Sequence, residues 1–357
     1  MLTERSTLTQ FLIEERRRHP GSSGDLNSLI LDVALACKAI SRRIASGALT
    51  GVLGSPEATD APGEQQQRLD VLASDLFLRA NEWGGQLAGM ASEGLEAPYA
   101  IPVHYPQGKY LLVFDALDGS SDIDLNVSVG SIFSILRAAT RGKSAEPQDF
   151  LQRGTEQVAS GYAVYGPSTI LVLTVGTGVH GFTLDPTLGE FFLTHHDITL
   201  PASTAEFAVN SSNHRFWEPA VQRYIDECLA GTSGPREKDF NMRWVASLVA
   251  EAHRILTRGG IFLDPRDSKD PATEGRLRLL YEANPIAFLI EQAGGRATTG
   301  RQRVLEVQPT DVHQPVGLIF GCRDEVERIE RYHERVDGPE DQDNPLYGVR
   351  GLYRVTA

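Results

Sequence analysis

The sequence predicts a layered α/β fold with two sheets, and three observations carry that prediction. Apolar residues at Leu26, Leu29, Ile30, Val33, Cys37, Ile40 and Ile44 keep the three-and-four spacing of one helical face. Downstream, strand-like and helix-like runs alternate as far as His333. The stretch HHDITLPAST (195–204) then interrupts the pattern, so residues 1–200 and 201–335 read as two domains, followed by a polar, acidic surface tail at 336–357. The first helix is preceded by PGSSGD (20–25), which offers turn residues and N-cap candidates. Leu69, Leu72, Leu76 and Ala80 define a second helix, and YLLVF (Tyr110 to Phe114) a buried strand. Strands are expected at Ser168 to Val175, Gly189 to Leu193, Gly260 to Leu263 and Val316 to Phe320. Helices are expected at Arg243 to Thr257, Pro285 to Ala293 and Asp324 to His333.

Composition narrows the function. A chain of 357 residues with 41% hydrophobic and 23% charged content can bury a large core. Its formal charge of -13, with no basic run longer than Arg16, Arg17 and Arg18, argues against a nucleic-acid partner. An anionic substrate therefore requires a local cationic pocket or a metal. The N-terminal MLTERSTLTQ has no apolar signal region and no stretch is apolar enough to span a membrane, so a cytoplasmic protein is expected. Cys37, Cys228 and Cys322 are odd in number and far apart, which fits reduced thiols.

Several familiar patterns fail on context. GTGVHG (Gly176 to Gly181) matches a dinucleotide fingerprint, but FTLDPTLGEFFLT after it reads as strand, turn, strand, with no helix to face a pyrophosphate. Cys37 and Cys322 each have an arginine six residues on, yet Cys37 lies on the apolar helical face and Cys322 is followed by acidic residues that oppose a thiolate. His195 and His196 are adjacent and point apart on any regular backbone. The acidic loop VFDALDGSSDID (Val113 to Asp124) fares better. It fails as an EF-hand, with Ile123 and Val129 where glycine and glutamate are needed, and it lacks the strand-end DxD of an aspartyl-phosphate phosphatase. Alone it would pass for a solvated turn. Two further carboxylates change the balance: Glu93 in MASEG and Glu282 in LLYEANP, the latter deep in apolar sequence and in need of a partner. A hard divalent cation such as Mg2+ is the natural one, with Arg276 and Arg278 placed to meet phosphate.

At this point the sequence resembles the class I fructose-1,6-bisphosphatase family. The resemblance rests on LDVLASDL (Leu69 to Leu76), ASE (Ala91 to Glu93), GKYLLVFDALDGSSDIDLNVSVGSIF (Gly108 to Phe133), GYAVYG (Gly161 to Gly166), Val209 with Asn210, HRILTRGGIFL (His253 to Leu263) and GRLRLLYEANP (Gly275 to Pro285). These lie in the family's order over nearly the whole chain. RLRLLYE and KYLLVFD point to the sugar-bisphosphatase branch rather than to the inositol monophosphatases.

The resemblance implies an α/β/α/β/α sandwich, a homotetramer, and hydrolysis of the 1-phosphate of D-fructose 1,6-bisphosphate in gluconeogenesis or the Calvin cycle. It implies two or three Mg2+ ions per subunit, with Mn2+ as the alternative, held by Glu93, Asp115, Asp118, Glu282 and the Leu117 carbonyl. Asp70 and Glu64 match positions tied to water activation and loop control. Gly119, Ser120 and Ser121, with Asp118 and Arg278, match the site of the reacting phosphate, and Asn210 and Arg243 match the distal site, Arg243 reaching in from a neighbouring subunit if the family's tetramer is kept; Arg276 adds charge for phosphate. Ser23, Gly24, Asp25, Lys109, Tyr110 and Arg137 match an inhibitory AMP site. Departures are Ala116 for proline, Asp122 for asparagine, Gly94 for a second glutamate, and Trp244 and Asp264 for tyrosines near the distal phosphate. A carboxylate at 264 repels phosphate unless it turns away or pairs with an arginine. Sedoheptulose-1,7-bisphosphatase or dual activity, and a sugar-phosphate or nucleotide-binding regulator without turnover, stand as the alternatives.

Overall fold

A computed structural model of the chain describes residues 5–18, 23–47, 62–123, 125–139 and 142–336; the side chains of 62–68, 122, 335 and 336 are outside the description. The tail at 337–357 and the first part of the PGSSGD turn therefore lie outside the described residues. The chain opens with helices α1 (Leu8–Arg18), α2 (Asp25–Ser46) and α3 (Pro62–Asn81). Then come strands β1 (Leu87–Ser92), β2 (Tyr99–Ala100), β3 (Tyr110–Asp118), β4 (Val129–Arg137), β5 (Ala159–Tyr165), β6 (Thr169–Thr174), β7 (His180–Asp185) and β8 (Glu190–His195). They form an eight-stranded sheet in the order β2-β1-β3-β4-β5-β6-β7-β8. The GTGVHG region enters the β7–β8 hairpin, as its sequence predicts.

The second half supplies β9 (Glu206–Val209), α4 (Pro219–Leu229), β10 (Asn241–Met242), α5 (Leu248–Arg258), β11 (Ile261–Asp264), β12 (Leu277–Arg278), a π-helical turn (Leu279–Ala283), α6 (Asn284–Gln292), β13 (Arg296–Thr298), β14 (Pro315–Val316), β15 (Leu318–Gly321) and α7 (Arg323–Val336). Its main sheet runs β10-β9-β11-β15-β13. Two expectations need correction. Arg243 to Ser247 are not helical; α5 starts only after Ser247, because Ala246 takes a left-handed φ of 67° and Ser247 caps the helix by accepting from the Ala250 N–H. Val316 to Phe320 is not one strand, because Gly317 separates β14, which pairs with β12, from β15 in the main sheet.

The layers follow from which faces are apolar. Helices α1, α2 and α3 cover one face of the first sheet, with Phe77 stacked on Phe114. Helices α5 and α6 lie between the two sheets, where Val249, Ala252, Ile286 and Leu289 pack against Ile132 and Tyr162 on one side and Phe262 and Phe320 on the other. Helices α4 and α7 close the outer face of the second sheet through Tyr224, Ile225, Val326 and Ile329. The result is the α/β/α/β/α sandwich. All three cysteines are buried, and burial pushes the Cys37 thiol up to about 12.

The outer layer is tied to the adjoining loops by Glu218, at the start of α4. Its carboxylate accepts from Arg301 Nη1 at 2.9 Å and lies 3.3 Å from His333 Nε2 of α7. The His333 hydrogen bond first, then Arg301, hold the Glu218 carboxyl down at about 2 against an ordinary 4.5. A carboxylate depressed in the folded state contributes its stability in full above its unfolded pKa and loses it as pH falls through the folded value. Glu218→Gln is therefore expected to cost about 1–2 kcal/mol at neutral pH, allowing for the partial exposure of the pair. Urea transitions of the two proteins should converge as pH drops below about 4.5. A gap that stays constant down to about pH 3 would contradict this assignment.

Candidate active site

The acidic loop begins with a problem of strand geometry. Successive side chains on a strand alternate between faces, so Asp115 and Asp118, three residues apart, belong on opposite sides of β3. The pairing with β4 shows how they come to share one: Asp115 faces Ile132 and Asp118 faces Gly130, so three steps on β3 match two on β4. This bulge at Ala116 and Leu117 turns both aspartates toward one point. It is pinned on its two sides, with Ser131 Oγ donating to the Ala116 carbonyl at 2.6 Å and the Leu117 N–H donating to Asp115 Oδ1 at 3.0 Å. Gly119 follows with φ 78° and starts the short 3-10 turn Ser120–Asp122; a side chain at 119 would place its Cβ 3.0 Å from that of Ser247. The Asp122 side chain and Asp124 are outside the described residues.

Glu282 reaches the same point from the second half of the chain. It sits on the π-helical turn between β12 and α6, a departure from α-helical winding that moves its side chain out of register with the α6 face. One of its carboxylate oxygens accepts from the Arg278 N–H at 2.5 Å. Asp115, Asp118 and Glu282 are all buried, and each offers a carboxylate oxygen within 4.8 Å of the others. Glu93 joins from one side: Ser92 of β1 pairs in parallel with Phe114 of β3, so Glu93 and Asp115 follow side by side. Glu93 is part-exposed and stands 3.7 Å from Arg278 Nε.

The electrostatics follow from this crowding. Burial raises the Asp115 carboxyl well above the usual carboxylate range, and the charges of Glu93 and Asp118 raise it further. Glu282 is raised in the same way, first by burial, then by Glu93, Asp115 and Asp118. Asp70, on α3, is pushed up to about 6 by burial, against a hydrogen bond with Ser120 that lowers it. Carboxylates collected in a dry site want protons or a cation. The donor set suits a hard divalent ion: ligand oxygens at about 2.0–2.6 Å from one ion stand no more than about 4–5 Å apart, which matches the spread of these three. Glu64 lies on α3, and its side chain is outside the described residues.

Other sequence-predicted residues fall into two places. Asn210 directly follows β9 and accepts from both the N–H and the hydroxyl of Ser212. Arg243 is exposed, with Nε 3.8 Å from Glu206, and neighbouring Trp244 stacks on Phe262. Asp264 does pair with an arginine: Arg276 Nη2 donates to it at 2.5 Å while Nη1 donates to Asp267 at 3.1 Å. The carboxylate at 264 thus faces a guanidinium. Arg278 Nη1 is anchored on the His313 carbonyl at 3.1 Å. Far from these, at the start of β3, Lys109 Nζ donates to Ser23 Oγ at 2.6 Å and pairs with Asp25 at 2.7 Å, beside left-handed Gly24. Tyr110 lies opposite Arg137 across β3 and β4, and both cations flank its ring, Lys109 at 5.5 Å and Arg137 at 5.7 Å.

Sequence reasoning missed Ser247. Its hydroxyl donates to Asp118 Oδ2 at 3.2 Å, and the Val249 N–H donates to the same oxygen at 2.8 Å. A serine directly before the amphipathic run of α5 was the available signal, hidden by the expectation of a helix from Arg243 onward.

A layered α/β/α/β/α chain whose buried carboxylates at a strand end could hold a metal ion narrows the class of protein, and comparison with known proteins makes it particular. The family model described as "Fructose-1-6-bisphosphatase, N-terminal domain" matches residues 6–196, and that described as "Fructose-1-6-bisphosphatase, C-terminal domain" matches residues 200–334. The class 1 fructose-1,6-bisphosphatase 3 of Methylibium petroleiphilum is 65% identical over 349 residues, covering 98% of each chain. That of Hydrogenophilus thermoluteolus is 63% identical, covering 98% of this chain and 97% of its own. The crystal structure of Leishmania major fructose-1,6-bisphosphatase in holo form superposes with a TM-score of 0.84 at 38% identity, covering 93% of this chain and 100% of that one. The chain belongs to the class 1 fructose-1,6-bisphosphatase family.

Proposed function

We propose that this chain is a Mg2+-dependent fructose-1,6-bisphosphatase that removes the 1-phosphate of D-fructose 1,6-bisphosphate to leave fructose 6-phosphate. The observation that carries this reading is the convergence of Asp115, Asp118 and Glu282, from two distant parts of the chain, on one buried point. Bound divalent ions supply Lewis-acid charge on the phosphoryl group and make water a nucleophile near neutral pH. Asp115, Asp118, Glu282, Glu93 and the Leu117 carbonyl would hold two or three Mg2+, with Mn2+ as the alternative. The backbone N–H groups of Gly119, Ser120 and Ser121 orient the 1-phosphate, and Arg278 neutralises one of its oxygens. Asp70, whose carboxyl burial brings to about 6, takes the proton of the attacking water, with Glu64 supporting the same step.

At the distal end, Asn210 and Arg276 meet the 6-phosphate, and the exposed Arg243 serves the site of a neighbouring subunit in a homotetramer. The pairing of Arg276 with Asp264 and Asp267 leaves that end less cationic than tyrosines beside a free arginine would. With Trp244 and Asp264 lining this end, the second reading is a dual enzyme that also accepts sedoheptulose 1,7-bisphosphate, since the two sugars differ in length away from the reacting phosphate. A regulator without turnover fits poorly with a complete carboxylate set. Among the described residues no helix is long and apolar enough to cross a membrane, which suits a cytoplasmic enzyme acting on a small sugar phosphate. The domain division near residue 200 separates the metal-binding loop and AMP-binding turn from most of the sugar-phosphate site.

Asp118→Asn keeps the side chain's volume and removes charge from the cluster, so kcat is expected to fall by roughly two orders of magnitude or more, about 3 kcal/mol at the transition state. Phosphate release at saturating Mg2+ measures it, with thermal melting as the control for folding. Near-normal turnover would remove Asp118 from the metal site.

The turn at Ser23, Gly24 and Asp25, with Lys109, Tyr110 and Arg137, supports binding of AMP as an inhibitor that does not compete with sugar substrate. Lys109→Ala with Arg137→Ala should abolish most AMP inhibition while Mg2+-dependent activity stays near that of the unaltered enzyme. Full wild-type activity at millimolar AMP, or inhibition that high substrate relieves completely, would refute the site.

A further inference from the structure

We infer that Ser247 is a positioning residue for the metal centre, holding Asp118 by one carboxylate oxygen so that the other faces the cation. The inference rests on the proposed metal-binding role of Asp118. Ser247 is 1% exposed and directly precedes α5. Its hydroxyl has two partners: it donates to Asp118 Oδ2 at 3.2 Å and accepts from the Ala250 N–H at 3.3 Å. The Val249 N–H, in the first turn of α5, donates to the same Asp118 oxygen at 2.8 Å. Oδ2 is therefore gripped by a hydroxyl and a helix N-terminal amide, 129 and 131 residues away in sequence. Both donors favour the ionised carboxylate and fix its rotation.

The surrounding packing leaves this grip little slack. A Cβ on Gly119 would lie 3.0 Å from Ser247 Cβ, and one on Gly130, opposite Asp118 across the sheet, would lie 2.6 Å from Val249 Cγ1. The turn thus seats directly on the loop that carries the ligand. On its other side, the segment leading into α5 is fixed by buried Glu251, whose Oε1 accepts from the Val245 N–H at 2.7 Å while Oε2 takes Arg254 at 3.0 Å. Arg254 in turn pairs with Glu206, the partner of Arg243. One helix end therefore orients a carboxylate of the acidic cluster and anchors the segment that presents Arg243.

An N-cap and a ligand-orienting donor are separable by substitution. Alanine at an N-cap loses both the cap and the donor, whereas glycine costs a cap only slightly and still loses the donor. Mn2+ is titrated into wild type, Ser247→Ala and Ser247→Gly, with free Mn2+ followed by electron paramagnetic resonance and melting temperatures recorded on the same samples. Both variants are expected to bind Mn2+ roughly tenfold more weakly, at the lower end of what outer hydrogen-bond partners of metal ligands contribute, although glycine melts closer to wild type than alanine. The Mg2+ concentration for half-maximal activity should rise in parallel, with the substrate KM changed less than about twofold. Affinity that returns to the wild-type value in Ser247→Gly would make Ser247 a helix cap only, and unchanged affinity in both variants would overturn the proposal outright. Absence of Mn2+ binding by wild type would instead bring down the metal reading of Asp118 and this inference with it.

Discussion

The structure depends on keeping several like charges together in a place with little water. Carboxylates that close repel one another and lose hydration on burial, so nothing in Asp115, Asp118 and Glu282 themselves brings them to one point. The scaffold does so with three local irregularities. The bulge in β3 puts two aspartates of odd spacing on one side, the π-helical turn swings Glu282 inward, and the first turn of α5 grips Asp118. Each irregularity is bound to a regular element that is buried on both faces, so none can relax without disturbing a sheet or a central helix.

This arrangement explains what was legible in the sequence. The helical stripe from Leu26 to Ile44, the hairpin after GTGVHG and the amphipathic C-terminal helix read correctly because each has one wet face. Strands β4 and β5 offered no alternation to read, being buried along almost their whole lengths between two layers of helices. The site residues were recognisable through motifs, yet the spacing of Asp115 and Asp118 on an ideal strand would have parted them. Only the register against β4 reveals the bulge. Ser247 was hidden for a different reason: the apolar pattern of α5 extends backwards into a segment whose left-handed Ala246 forbids helix. The pairing of Asp264 with Arg276 was foreseeable as a requirement of charge, but its partner was not specified by sequence distance.

Strand β3 has a second consequence. The Tyr110 end sits beside Lys109, Ser23 and Asp25, and the Asp118 end enters the acidic cluster. A strand of this length separates its ends by roughly 25 Å. A ligand held at the first end cannot touch a substrate held at the second, so any influence between them passes through the sheet and the helices packed on it. The α2 start and the β3 start share the Lys109 contacts, which makes the first helical layer the element such a ligand would engage. Cations flanking the Tyr110 ring are already drawn to carboxylate or aromatic partners there.

The central claim is that the three converging carboxylates form a divalent-cation site rather than a cluster that stays protonated. Anomalous diffraction from crystals of this protein grown with Mn2+ tests it most directly, because the ion is located without reference to activity. The account predicts an anomalous peak between Asp115, Asp118 and Glu282, within about 2.0–2.6 Å of an oxygen from each. A well-ordered cluster with no peak at that point, in crystals saturated with Mn2+, would contradict it.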